Sequence, residues 1–309
     1  MSEGSTPGRP AAIGGLQLSR IGLGTSAFGA DESRTVEAIH RALELGINWI
    51  DTDAIFERGE IERHVGSALS ALPPDDRPFV ALAVGFDWDG RSRQAQLRPT
   101  LEPRRLRRQL ERSLARLGIE RADLVKLHLA ATSDALFEDA WSALLDLRQS
   151  GLVRSLGLIA PDSASLERAE RIGICDAVHV EMSLFDRRVS DGELLWRRQP
   201  TPAVIASHSF AVIGSAEADD SLESMQRLLR IIAIRRHSNP AAVAAAWTLS
   251  WPGVAALAVS VRNADELSAA ARATEISLSA RDFSDISKLL PALGSGRGPV
   301  HPHRAVDAA

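Results

Sequence analysis

Residues 20–53 read RIGLGTSAFGADESRTVEAIHRALELGINWIDTD: a short β-rich apolar run, an amphipathic stretch and a second β-rich run. Between Glu32 and Leu45, the residues Val36, Ile39, Ala42 and Leu43 share one helical face, and Gly46 follows where a left-handed stop is needed. A strand, a helix and another strand in this order form a right-handed crossover unit and imply a parallel sheet.

The same alternation continues along the chain. Further β-rich runs are FVALAVG from Phe79, ADLVKLH from Ala122, VRSLGLIA from Val153, AVHVEMS from Ala177, PAVIASH from Pro202 and GVAALAVS from Gly253. With RIGLGT from Arg20 and NWIDTD from Asn48 they make eight. Eight strands separated by helices predict an α/β protein that closes into a single (β/α)8 TIM barrel rather than an open doubly wound sheet. The 309 residues suit one such barrel, which takes about 250. It is expected over residues 15–291, with loose tails over 1–14 and 292–309 that are rich in Gly, Pro, Ala and Ser.

Charge and composition exclude several classes. Forty acidic against 36 basic side chains give a net charge of −4, so neither nucleic acid nor an anionic membrane is an expected partner. The arginine-rich segment from Pro103 carries Leu106, Leu110, Leu114 and Leu117 at three- and four-residue spacing, so its arginines form the solvated side of a helix. A single cysteine, Cys175, rules out an intrachain disulfide and points to a reducing compartment; with no leader-like start, the cytoplasm is the expected location. The chain has no tyrosine, and its only lysines are Lys126 and Lys288.

In a barrel of this kind chemistry sits where strands run into their following helices. The polar residues there are Asp51, Asp53, His128, His179, Glu181 and His208, whereas the third strand ends in Ala83, Val84 and Gly85. Three histidines and a carboxylate are chemically adequate for zinc or iron, but they lack a diagnostic short spacing, and no metal site is expected. His64, on an amphipathic helix, and His301 and His303, in the tail, read as solvated. Phe86 and Trp88, after the third strand, either cap the barrel or wall a small-molecule pocket.

RIGLGTSAFG, LGINWIDTDAIFERGEIERHVGSAL, SLARLGIERADLVKLH, SGLVRSLGL and SLFDR together resemble the aldo-keto reductases, over residues 16–290. The resemblance implies a (β/α)8 barrel that binds NADP(H) at the strand ends and transfers hydride between nicotinamide and a carbonyl carbon. It also implies an Asp, Tyr, Lys and His tetrad, in which the tyrosine protonates the developing alkoxide, the lysine lowers its pKa and the aspartate holds the lysine.

Carried over by position, Asp51 and His128 match the aspartate and histidine, but the tyrosine falls on Phe56 and the lysine on Ala83. Lys126 lies two residues before His128, deeper on its strand, and is not expected to fill either place. Where the resemblance implies a Ser-Asn pair for the carboxamide stand Ile159 and Ala160. The glutamine of the sixth strand is His179, and the tyrosine under the nicotinamide is Ser207, with His208 beside it. Arg262 stands where the 2'-phosphate contact is implied, while the adenine-binding Glu-Asn pair is Ala269 and Ala270.

These departures lead to the expectation of a degenerate tetrad, no nicotinamide cofactor and a non-redox acid/base enzyme acting on a small oxygenated metabolite by dehydration, isomerisation, cyclisation or hydrolysis. His128 would be its acid or base, with Asp51 and His208 as partners and His179, Glu181, Trp88 and Phe56 lining the pocket. Two other readings stand beside it: a catalytically silent pseudoenzyme that binds a metabolite or a protein, and a residual NADP(H)-dependent carbonyl reductase.

Overall fold

The structure, a computed structural model, describes residues 10–29, 31–88, 95–129, 134–191, 194–196, 202–209, 220–294 and 296–302. Eight parallel strands form a closed barrel: β1 (Ile21–Gly24), β2 (Trp49–Asp53), β3 (Phe79–Val84), β4 (Ala122–His128), β5 (Val153–Ile159), β6 (Ala177–Glu181), β7 (Ala203–Ser209) and β8 (Val254–Ser260). They follow one another in chain order around the ring, and β8 pairs with β1 to close it. The expected (β/α)8 barrel is therefore observed, each strand lying within its predicted run except that β7 extends one residue past it, to Ser209.

The helices around the ring include α1 (Glu32–Glu44), α2 (Glu60–Ser70), α3 (Pro103–Leu117), α4 (Phe137–Gln149), α5 (Ser163–Ile172), α6 (Asp220–Arg235), α7 (Pro240–Leu249), α8 (Ala264–Ala271) and α9 (Ala280–Leu289). Helix α1 starts where the Asp31 side chain accepts from the Ser33 and Arg34 amides, and the chain turns out of it at Gly46, with φ 73°. Helix α3 buries Leu106, Leu110, Leu114 and Leu117, each contributing about 1.5–3 kcal/mol. Arg105, Arg107 and Arg116 form ion pairs with Glu102, Glu111 and Glu62. Among the described residues no helix is long and apolar enough to cross a membrane.

The N-terminal end of the barrel is stoppered. Ala11–Ile13 and Leu16–Leu18 form an antiparallel hairpin whose Ile13 and Leu18 are buried with Trp49, Ala81, Leu124 and Ala256. The Trp49 indole donates to the Ser19 carbonyl at 2.8 Å, and it crosses the floor only because residue 22 is glycine: a Cβ there would lie 2.0 Å from the ring. This corrects the expected N-terminal tail, since residues 11–14 are held by burial of Ile13. At the other end of the chain, Arg187 is buried and donates to the carbonyls of Gly296, Gly298 and Pro299, so that stretch of the expected C-terminal tail is held too. A second hairpin, Phe86–Trp88 with Leu97–Pro99, follows β3.

Candidate active site

A cavity of about 880 Å³ opens at the C-terminal ends of the strands, within the usual range for small-molecule sites. At its floor lies Lys126. On β4 this residue is in register with Ala83 of β3 on one side and with Gly157 of β5 on the other. A methyl group and a hydrogen atom leave the long side chain room to extend into the barrel. Lys126 is 2% exposed, and its Nζ donates to Asp51 Oδ1 from β2 and to His179 Nδ1 from β6, the latter at 2.7 Å. Asp51 Oδ2 lies 3.5 Å from the same imidazole nitrogen. Lys126 thus emerges into the site and pairs with Asp51, contrary to the expectation from sequence.

These contacts fix the state of His179. An ammonium has no acceptor, so Nδ1 must accept from Lys126 and the ring proton sits on Nε2, which donates to Ser207 Oγ of β7. Burial first, and then the Lys126 charge, push the imidazole pKa down to about 3, against the opposing pull of Asp51. His179 is therefore neutral at physiological pH. Because Ser207 Oγ accepts from His179, the serine keeps its own proton as a donor.

His128 is organised separately. Its Nε2 is 2.7 Å from Asp53 Oδ2, and the other Asp53 oxygen accepts the Ile55 amide at 3.0 Å. The Phe86 ring meets the imidazole edge-on, with centroids 5.0 Å apart. The site thus contains two constellations, Lys126–Asp51–His179 and His128–Asp53, carried on the alternate strands β2, β4 and β6.

The other predicted residues divide. Phe56 and Glu181 line the cavity, Glu181 at its exposed rim where Arg188 Nη2 lies 3.5 Å away. Phe56 opens a tight turn in which Glu57 and Arg58 have φ of 44° and 55°, costly values for non-glycine residues. Trp88 does not line the cavity; it packs under the Arg58 guanidinium, 3.9 Å from the ring centre. Ala160 also lines the cavity and has φ 51°, its amide bonded to the His179 carbonyl at 2.8 Å. Arg262 lies beside α8, exposed and held by Glu266 at 2.8 Å. The backbone of His208 is in β7, but its side chain lies outside the described residues, as does His303. His64 is buried on α2 rather than solvated, because the helix turns that side toward the core. Among the described residues no group of three or more His, Cys, Asp or Glu side chains is placed to hold a metal ion.

Three participants were not anticipated as such. Asp53 was noted only as a strand-end residue, Ser207 only as a lost stacking position, and Lys126 was set aside. Alternation puts Lys126 and His128 on the same strand face. Its register against Ala83 and Gly157 is a property of the closed barrel and cannot be read from β4 alone.

The model of the aldo/keto reductase family matches residues 20–291. The chain is 24% identical to aldo-keto reductase YhdN of Bacillus subtilis (strain 168), over 89% of this chain and 91% of that protein. It is 27% identical to methylglyoxal reductase YeaE of Escherichia coli (strain K12), over 90% and 93%. A solved glycerol dehydrogenase of Gluconobacter oxydans superposes with a TM-score of 0.84 at 22% identity, covering 94% of this chain and 97% of that one, and so shares its fold. These similarities to named redox enzymes overturn the expectation of a non-redox acid/base enzyme. That expectation rested on departures at the tyrosine, lysine, carboxamide, stacking and adenine positions together, and for the lysine it missed that Lys126 of β4, one strand beyond Ala83, reaches Asp51. The chain belongs to the aldo/keto reductase family.

Proposed function

We propose that this protein is a nicotinamide-dependent oxidoreductase that interconverts a small carbonyl compound and its alcohol. The observation that carries this reading is the buried Lys126–Asp51 ion pair at the floor of the cavity, which supplies a fixed positive charge where a carbonyl oxygen gains electrons. The donor set suits a dinucleotide. Ser207 retains a free hydroxyl proton, and the Ser26 and Ser260 hydroxyls bond each other at 2.6 Å, leaving one proton of that pair free. Arg262, beside the first turn of α8, would meet a phosphate at the far end. When bound, a reduced nicotinamide supplies hydride to the carbonyl carbon. The chain's own part is to hold the carbonyl oxygen against Lys126 and to present the His128–Asp53 pair alongside it. The relatives' names make a 2-oxoaldehyde such as methylglyoxal, or a polyol such as glycerol, the first substrates to try. The single cysteine supports a cytoplasmic setting.

The test is direct. NADH and NADPH are titrated while coenzyme fluorescence is followed, and their oxidation is then monitored with methylglyoxal, glyceraldehyde and 4-nitrobenzaldehyde. Saturable micromolar binding with turnover is expected. No binding of either coenzyme at millimolar concentration would remove the proposal.

A further inference from the structure

We infer that Lys126 is itself the acid of this site: its ammonium hands a proton directly to the carbonyl oxygen as that oxygen becomes an alkoxide. The inference rests on the carbonyl reduction proposed above and names the proton donor within it. A phenol cannot be that donor, because the chain has no tyrosine and Phe56 lines the cavity with a hydrocarbon ring.

The choice among the remaining groups follows from their contacts. Asp51, Asp53, Glu181 and Asp186 accept hydrogen bonds when ionised and cannot donate. His179 has its one proton directed at Ser207 and its other nitrogen occupied by Lys126. His128 as the neutral imidazole has its one proton on Nε2, directed at Asp53, which leaves Nδ1 an acceptor. A serine hydroxyl can donate a hydrogen bond but is too weak an acid to give up its proton unaided. Lys126 has three N–H donors. One goes to Asp51 and one to the neutral His179 nitrogen, and among the described residues the third has no partner while the side chain lines the cavity. Asp51 and His179 thus hold the ammonium like two guy-ropes, with one N–H left for the substrate.

The step balances. The hydride leaves the dihydronicotinamide with its electron pair and bonds to the carbonyl carbon. The π pair moves onto oxygen, and oxygen takes the proton from Nζ. The products are an alcohol, an oxidised nicotinamide and a neutral lysine amine, which recovers its proton from solvent at the cavity mouth. In alcohol oxidation the same amine removes the hydroxyl proton.

The composition makes this testable in the intact chain, where one variant assigns the signal. Labelling with 15N-lysine gives two Nζ signals, from Lys126 and from Lys288, and Lys126→Arg identifies the first. At the pH of turnover the Lys126 signal should be that of a slowly exchanging ammonium. Lys126→Met should lower kcat by about 100- to 10,000-fold, as expected on losing a general acid, while coenzyme affinity measured by fluorescence changes little. Lys126→Met/Asp51→Asn, which leaves no unpaired buried charge, should show the same loss and control for misfolding. His128→Gln should lose less than Lys126→Met.

A neutral-amine Lys126 signal at that pH, a loss below about tenfold in both Lys126 variants, or a larger loss in His128→Gln would overturn the assignment while leaving reduction intact. A wild-type protein that binds neither coenzyme overturns the underlying proposal, and this one with it.

Discussion

Ala83 and Lys126 face each other in the register of β3 and β4, so the lysine of this site stands one strand further round the barrel than the family pattern places it. The ion pair with Asp51 survives the displacement because a lysine side chain is long and its neighbours at positions 83 and 157 are small. Exchanging the two residues tests this. Lys126→Ala alone leaves Asp51 buried without its partner and should cost roughly 3–5 kcal/mol. Ala83→Lys alone places two ammonium groups side by side. The double variant should recover about 2 kcal/mol relative to the sum of the two, read from urea midpoints in a double-mutant cycle.

His179 makes stability depend on pH with a definite sign. Its folded pKa of about 3 lies below the ordinary imidazole value of 6.5, so between these values the unfolded chain takes up a proton that the folded chain refuses. The contribution is complete above pH 6.5 and is lost as the pH falls, at up to about 1.4 kcal/mol per pH unit for one such group. Unfolding curves of His179→Gln should lie above those of the wild type at pH 4 relative to their positions at pH 7. A gap that does not change with pH would show that the histidine is not held neutral.

Ala160 occupies a left-handed conformation at the cavity wall, at a cost of about 1 kcal/mol for a residue with a Cβ and no polar side-chain group to bond the local backbone. Asparagine tolerates that conformation better and adds an amide facing the cavity. Ala160→Asn should raise the melting temperature by a few degrees and tighten coenzyme binding, checked by calorimetry and by fluorescence titration.

Much of the architecture was legible from periodicity. The leucines of α3 recur at helical spacing because that face packs on the barrel, and each predicted strand run was found. Asp51 and His128 were also readable, since both are polar residues in the C-terminal parts of their strands. Lys126 was not, because its reach depends on which residues flank it across two strand pairs and on the ring being closed. The hairpin at Ala11–Ile13 was missed for a related reason: three residues carry no period of their own, and what holds Ile13 is a tryptophan 36 positions away in sequence, on the barrel floor.

Cys175 should be inert in the folded protein. Its thiol is buried, donates to the Ala177 carbonyl at 3.3 Å and is pushed up to about 12, mainly by burial, so no useful thiolate fraction exists near neutrality. Ellman's reagent should titrate no thiol in native protein and one per chain in guanidinium. Rapid native labelling would show that the β5–β6 connection opens readily.

Arg187 tethers Gly296, Gly298 and Pro299 through three carbonyls from a buried position. Arg187→Met removes all three hydrogen bonds and leaves those carbonyls to water. Limited proteolysis should then cut near residue 296 at a protease concentration that leaves the wild type whole, with a loss of about 2–3 kcal/mol in overall stability.

The Trp49 indole and the hairpin beneath it make the barrel a cup, sealed at the base and open at the lip. Whatever Lys126 gives away must be replaced from above, so a bound product covering that lip would keep the amine bare until it departs. In such a vessel, recharging the acid and releasing the alcohol become a single event.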